Sequence, residues 1–265
     1  MYELNYKKAK SVDEATKAVG APGDNKFLAG GMTLIPTLKQ RLARLNDVVD
    51  LSGIPDLVGI KVDGKTVTIG AMTPHAVVAS SAEVKKAIPA LSKLAGGIGD
   101  PQVRNRGTIG GSISNNDPAA DYPSAILGLG ATVHTNKRAI KGDEFFKGMF
   151  ETALQPGELV TKVEFPVPEK AAYMKFPNPA SRYAIVGVFV SKTGNNVRVA
   201  VTGAGPVVFR QAEMEKALSS NFAPAAIEKI QHKADGLNSD IHASAEYRAH
   251  LVGVMARRAV AEANG

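Results

Sequence analysis

Two packed α+β units in one chain are what this 265-residue sequence predicts, and three runs of residues carry the prediction. Residues 27–51 read strand, glycine turn, helix, strand, an order that makes the two strands parallel because the chain must cross back between them. Residues 57–166 mix hairpin strands with capped helices. Beyond about residue 170 three strands come first and only helices follow, the pattern of a sheet covered on one face. At 44% hydrophobic residues the chain has enough apolar surface to build full cores.

Each element has a local reason. "SVDEATKAVG" predicts a helix with Ser11 as N-cap, Glu14 as its capping-box partner and Gly20 as the stop. In "KFLAGGMTLIPTLKQRLARL" a short strand at Phe27–Ala29 leads through Gly30-Gly31 into a helix. Leu34, Leu38, Leu42 and Leu45 recur there at helical spacing, with Pro36 in the first turn. "DVVDL" at 47–51 closes the unit as a strand. Next, Asp63-Gly64 makes a hairpin turn into alternating Val67, Ile69 and Ala71. Thr73-Pro74 reads as N-cap and first residue of a helix, and further helices begin at Ser81 and run through "PALSKLAGG". "ATVHT", "RAIKGDEFF" and "GELVTKVEFP" read as strands. The last unit has strands "AAYMKF", "AIVGVFVSK" and "NVRVAVTGAG", turning at Gly194-Asn195-Asn196. Amphipathic helices "QAEMEKALSS", "APAAIEKIQHKA" and "AEYRAHLVGVMARRAVAEA" follow to cover the sheet.

Composition removes whole classes of function. With no cysteine, the chain offers no disulfide, no thiol nucleophile and no ligand set for an iron–sulfur cluster. The net charge of +7 comes from small scattered groups such as Lys39, Arg41 and Arg44, which reads as a solvated basic surface rather than a nucleic-acid stripe. The longest apolar runs are too short to cross a bilayer, and no apolar stretch follows the basic N-terminus as in a secretory signal, so the expected location is the cytoplasm. His75, His134, His232, His242 and His250 are dispersed without carboxylate pairing, which argues against a metal site. Ser112 and Ser114 have no adjacent histidine to activate them. Asp117 and Asp121 sit four apart, but Pro118 between them favours a turn plus one ligand contact over a catalytic pair. Tyr173 and Tyr183 read as packing residues at the start of strands, ahead of the alternative that they shield the ring of a bound ligand.

Two glycine turns stand out, "AGGMT" at 29–33 and "GTIGGS" at 107–112. Adjacent glycines let successive backbone N–H groups close on an anion, so two such turns suggest a ligand with two phosphates. Tight turns and close backbone packing use glycine equally, and neither turn matches the P-loop or dinucleotide fingerprints. The second turn lies in "IGDPQVRNRGTIGGSISNNDPAADYP", residues 98–123, a stretch with so little apolar periodicity that it should contribute little to a core.

The order "QVRNRGTIGGS" then "NNDPAADYP", with "FLAGGMTLIPTLK" some eighty residues earlier, closely resembles the flavin-binding subunit of the molybdenum hydroxylases, the family of xanthine dehydrogenase and aerobic carbon monoxide dehydrogenase. "GDEFFKG" and "GELVTKVEFP" extend the resemblance over essentially the whole chain. It implies an α+β fold: a two-lobed p-cresol methylhydroxylase-type FAD-binding domain, residues 1–169 with lobes of about 1–55 and 56–169, then a C-terminal domain, 170–265, of a three-stranded sheet with a helical bundle. By the same likeness Phe27, Leu28, Ala29, Gly30, Gly31, Met32 and Thr33 cradle FAD from the first lobe, and Thr108, Ile109, Gly110, Gly111 and Ser112 hold its pyrophosphate from the second. Gly99 lies where backbone approaches the cofactor, Asp121 binds its polar part, and Val160 and Lys175 lie near the ring or its edge. Met32 and Ser112 depart from the polar residue and the asparagine that many relatives carry, which leaves the backbone to make the bonds at those two points.

The resemblance further implies partners: a small subunit with two iron–sulfur clusters and a large subunit with the molybdenum cofactor, assembled as a dimer of three-subunit units, in the cytoplasm or against the inner face of the membrane. Electrons would pass from the clusters to FAD and on to a terminal acceptor, a junction that suits a cofactor able to move electrons singly or in pairs. Two alternatives keep the glycine turns: a stand-alone flavin oxidase and a nucleotide-binding scaffold subunit. A valine at Gly110 or Gly111 is expected to abolish flavin binding and leave the fold intact.

Overall fold

The computed structural model describes residues 1–265 and divides them among three main sheets. The first lobe contains β1 (Asn5–Lys8), α1 (Val12–Val19), β2 (Asn25–Leu28), α2 (Leu34–Lys39) and β3 (Asp47–Asp50), with the strands in the order β1-β3-β2 and all parallel. Helix α1 starts as its sequence requires: Ser11 Oγ accepts the Glu14 N–H, and the Glu14 carboxylate reaches back to the Lys10 N–H. Helix α2 is shorter than its leucine spacing predicts. Arg41 adopts a left-handed φ of 60°, which ends the helix and leaves Leu42 74% exposed, while Leu45 is buried from the following loop.

The second lobe follows with β4 (Ile60–Asp63), β5 (Thr66–Gly70), α3 (His75–Ser80), α4 (Ala82–Ala87), α5 (Pro89–Gly96), α6 (Pro101–Arg106), α7 (Ile109–Asn115) and α8 (Tyr122–Leu129). The chain continues through β6 (Thr132–Thr135), β7 (Ala139–Lys141), the single helical turn α9 (Gly142–Phe145), the small hairpin β8 (Phe146–Gly148) and β9 (Glu151–Thr152), and β10 (Val160–Pro166). The antiparallel sheet runs β4-β5-β10-β6-β7. Val67, Ile69, Val133, Val163 and Phe165 point from it into one core with the helices. Three local expectations change. Thr73 is no N-cap; its hydroxyl is committed to the backbone of Gly59, and Pro74 precedes α3 instead. "RAIKGDEFF" breaks at Gly142, which lies against Ile126 with no room for a side chain and opens the single turn α9. The stretch 98–123 is mostly helical and reaches the core, with Ile109, Ile113 and Tyr122 fully buried.

The C-terminal unit has β11 (Lys170–Pro177), β12 (Ala184–Thr193), β13 (Asn196–Thr202) and a short fourth strand, β14 (Phe209–Arg210), in an antiparallel sheet of that order, where three strands were expected. Helices α10 (Ala212–Ser220) and α11 (Ala245–Ala263) cover one face around Val188, Val190, Val199, Val252 and Met255. The other face meets α8, whose Gly128 lies against the Phe189 ring. The helix expected at 223–234 is reduced to a 3-10 turn at Pro224–Ile227. His232 stacks on Phe209 at 4.9 Å and its Nδ1 bonds the Gln211 amide at 3.0 Å, which draws the chain back to the sheet end instead of continuing a helix.

Candidate functional site

A cavity of about 430 Å³ opens where the two lobes and the C-terminal unit meet. One wall is the turn after β2, residues 29–34. The opposite wall comes from Ala71, Met72, His75, Gly99, Val103 and the start of α7, and the ends are closed by Leu154, Glu158–Val160 and Ser181–Tyr183. The lobes touch through glycine. A Cβ on Gly30 would run into the Arg106 carbonyl, and Gly31 holds a φ of +74° that L side chains rarely adopt.

The two glycine turns behave differently toward a ligand. Backbone N–H groups 29 to 34 find no acceptor anywhere in the chain; the first internal bond after the turn is Ile35 N–H to Gly31 O, 3.0 Å. All six residues line the cavity, and Gly31 is buried. Amides 32–34 open helix α2, whose first turn has no internal acceptors, and with those of Ala29–Gly31 they form a run of unpaired donors along the cleft that suits an anion. In the second turn the amides are already used: Ile109 donates to Thr73 O, Gly110 to Ala71 O at 2.8 Å, Gly111 to the Thr108 hydroxyl at 3.1 Å and Ser112 to Thr108 O at 3.0 Å. Only Thr108 keeps an unpaired N–H there.

Buried charge shapes the rest of the wall. Asp121 is 4% exposed, accepts the Tyr173 hydroxyl at 2.5 Å and pairs with Lys175 Nζ at 2.9 Å. Burial pushes its carboxyl up, and Lys175 and Tyr173 oppose that rise. The same ammonium also donates to Gly97 O and Arg182 O, at 2.8 and 2.9 Å, tying two cavity-lining loops to strand β11. Arg104 buttresses one of them through the carbonyls of Ile98 and Gly99. At the other end burial works against Glu158, but Arg138, the Gln155 N–H and Thr135 prevail and hold its carboxyl at about 2. Burial, helped by Arg104, lowers the His75 imidazole to about 4, so it is neutral in the cleft.

Amides for an anion, an apolar wall from Phe27, Leu51, Ile98, Leu154 and Val160, and buried polar groups at both ends fit a dinucleotide with a flat ring. The family model for the FAD binding domain in molybdopterin dehydrogenase matches residues 2–168, and that for the CO dehydrogenase flavoprotein C-terminal domain matches residues 171–263. The chain belongs to the FAD-binding subunits of the molybdenum hydroxylases. It is similar to the carbon monoxide dehydrogenase medium chain of Hydrogenophaga pseudoflava, 34% identical over 97% of this chain and 96% of the relative. With the glyceraldehyde dehydrogenase medium chain of Sulfolobus acidocaldarius it shares 35% identity over 98% of each. The solved structure of reconstituted CO dehydrogenase from Oligotropha carboxidovorans superimposes with a TM-score of 0.88 at 33% identity, covering 99% of this chain and 98% of that one.

As a member of this family of oxidoreductase subunits, the protein brings to one cavity Phe27, Ala29, Gly30, Gly31, Met32, Thr33, Gly99, Thr108, Gly110, Gly111, Ser112, Asp121 and Val160. Three further residues singled out by resemblance do not line it. Leu28 packs beside Leu38, Leu45 and Val48; Ile109 is fully buried in the second-lobe core; Lys175 stands behind Asp121 with its ammonium occupied. Gly110 is a packing residue, since a Cβ there would lie 2.6 Å from Ala71 Cβ, so a valine at 110 disturbs the fold before it reaches a ligand. Residues missed by the sequence also line the cavity, among them Met72, Val103, Glu158, Arg182 and His75. Tyr183 lines it too, half exposed, whereas Tyr173 is buried packing. No periodic signal marks them because they come from loops and helix ends of separate elements.

Proposed function

We propose that this subunit carries electrons by holding FAD between its two lobes, residues 1–55 and 56–169, with the 170–265 unit closing the cleft. The run of unpaired amides at 29–34 is the observation that carries this reading: it offers the pyrophosphate its N–H groups without any change in the fold. Met32 and Thr33 serve through their backbone, Thr108 adds its free amide from the other lobe, and Gly99, Val160 and Tyr183 give the ring apolar and backbone surface. Asp121, held by Tyr173 and Lys175, keeps a fixed acceptor beside them. When bound, FAD supplies the ability to take electrons one at a time and release them singly or in pairs. The chain's own residues bind it, orient it and keep bulk water from one side.

Having no cysteine, the subunit receives electrons from iron–sulfur clusters on a small partner and works beside a large partner with the molybdenum cofactor, as a dimer of such three-subunit units in the cytoplasm. Relatives of nearly equal identity are named for carbon monoxide and for glyceraldehyde, which agrees with a subunit that does not choose the organic substrate. Denaturing the purified protein is expected to release FAD; FMN as the only flavin would overturn the assignment. Isolation of the native complex should yield iron, sulfide and molybdenum with this chain. Oxidation of an organic donor by the chain alone, at the rate of the complex, would replace the relay by a stand-alone oxidase.

A further inference from the structure

His75 is the one histidine on the cleft wall, and nothing in the chain uses its imidazole. The residue is 4% exposed, and Nδ1 is sealed from solvent without a hydrogen-bond partner. Nε2 packs against Gly107, where a Cβ would stand only 2.6 Å away, so the missing side chain is what makes room for the imidazole. Gly107 is in turn the residue on which Gly30 rests, its Cα lying 2.8 Å from where a Gly30 Cβ would be. The imidazole therefore lies behind the contact between the lobes, at the same end of the cavity as the unpaired amides 29–34. Tyr122 repeats the anomaly: its ring centre is 5.3 Å from that of His75, it is fully buried, and its hydroxyl has no partner. Two adjacent buried polar rings without partners cost about 1–3 kcal/mol each, and such groups persist where a ligand or an ordered water completes them.

We propose that His75 is a ligand-contacting residue that donates from Nε2 to a phosphate oxygen held by the 29–34 amides, with Tyr122 behind it supplying, through one buried water, the hydrogen bond that Nδ1 lacks. A neutral imidazole with its proton on Nε2 needs a donor at Nδ1, and a phenolic hydroxyl is one. The glycine at 107 then has a second purpose beside lobe contact, since its missing Cβ lets the imidazole stand at the edge of the cavity. This inference rests on the cleft being the FAD site.

Uniform nitrogen-15 labelling of the full chain, stripped of flavin, reads the imidazole directly, with the His75 ring signals assigned by their loss in His75→Gln. FAD and ADP are both expected to move those signals, and riboflavin, which has no phosphate, is expected to leave them unchanged. In FAD titrations His75→Leu should weaken binding about ten-fold, a change of about 1.4 kcal/mol, whereas His75→Gln, which keeps a side-chain N–H, should stay within about three-fold. Binding of FAD with unmoved His75 signals, or shifts produced by riboflavin alone, would overturn the proposal and leave the FAD assignment standing. If neither FAD nor ADP bound the wild-type chain, the FAD assignment itself would fall. The spectra of the wild-type protein decide the matter even if His75→Leu does not fold.

Discussion

The turns at 29–33 and 107–112 look interchangeable as strings, each a glycine pair between ordered elements, yet they do opposite things. In the first, the backbone N–H groups have no partner in the chain and their residues line the cavity. In the second, the same chemical groups are spent on Ala71, Thr73 and Thr108, and Gly110 lets α7 lie against the turn after β5 while Gly111 faces Ala29 of the first turn. A glycine pair permits close approach; what approaches is decided by the neighbours. One turn leaves its amides unpaired along the cavity; the other is a packing joint that shapes the far wall.

Substitution at the joint should show the largest effect. Gly110→Val drives a branched side chain into the backbone of Ala71 and is expected to lower stability by about 3 kcal/mol or more, seen as a lower urea midpoint. A Gly110→Val protein as stable as wild type but free of flavin would break the distinction between the turns. Acid comes next, acting on the wall between them. The folded His75 pKa of about 4 lies below its unfolded value of 6.5, so the unfolded chain binds more protons between those limits and stability falls as pH drops through them. The loss by pH 4 is about 3 kcal/mol for the flavin-free protein; His75→Gln should remove that share of the pH dependence.

Smaller effects separate binding from folding. Gly31→Ala forces a left-handed alanine whose Cβ meets Ile35 Cγ1 at 2.8 Å, a cost of about 1–2 kcal/mol in stability. Because it distorts the free amides, FAD affinity should fall by at least ten-fold, measured by titration. Thr108→Ala removes the hydroxyl that caps α7 through the Gly111 N–H and should cost about 1 kcal/mol. With the Thr108 backbone amide retained, its effect on FAD affinity should be smaller than that of Gly31→Ala. The reverse order would mean that the second turn is the main phosphate site.

Regular elements were legible where caps, turn residues or β-branched runs marked them. Helix α1 with its Ser11 cap, the Asp63-Gly64 hairpin and the long strands β12 and β13 lie where the pattern put them, since periodicity and capping act over a few neighbouring residues. Helix α8 gave no such signal because all eight of its residues are buried, and a helix apolar on every side has no amphipathic face to read. Helix α2 erred the other way, as its leucine spacing continued past the point where Arg41 turned the chain.

Of the site, the sequence by itself determined the two glycine turns, the absence of any cysteine ligand and a motif order that names the family. It could not say which amides stay free, because a hydrogen-bond partner such as Ala71 is nearly forty residues away and is chosen by sheet register. Nor could it show that Lys175, from the C-terminal unit, would spend its three N–H groups on Gly97, Asp121 and Arg182. It gave no hint that a lone histidine after Thr73-Pro74 would pack against Gly107 at the edge of the cavity. These are properties of surfaces brought together across three units. Local chemistry fixes which groups exist, and only packing fixes which of them are left unsatisfied and therefore able to bind.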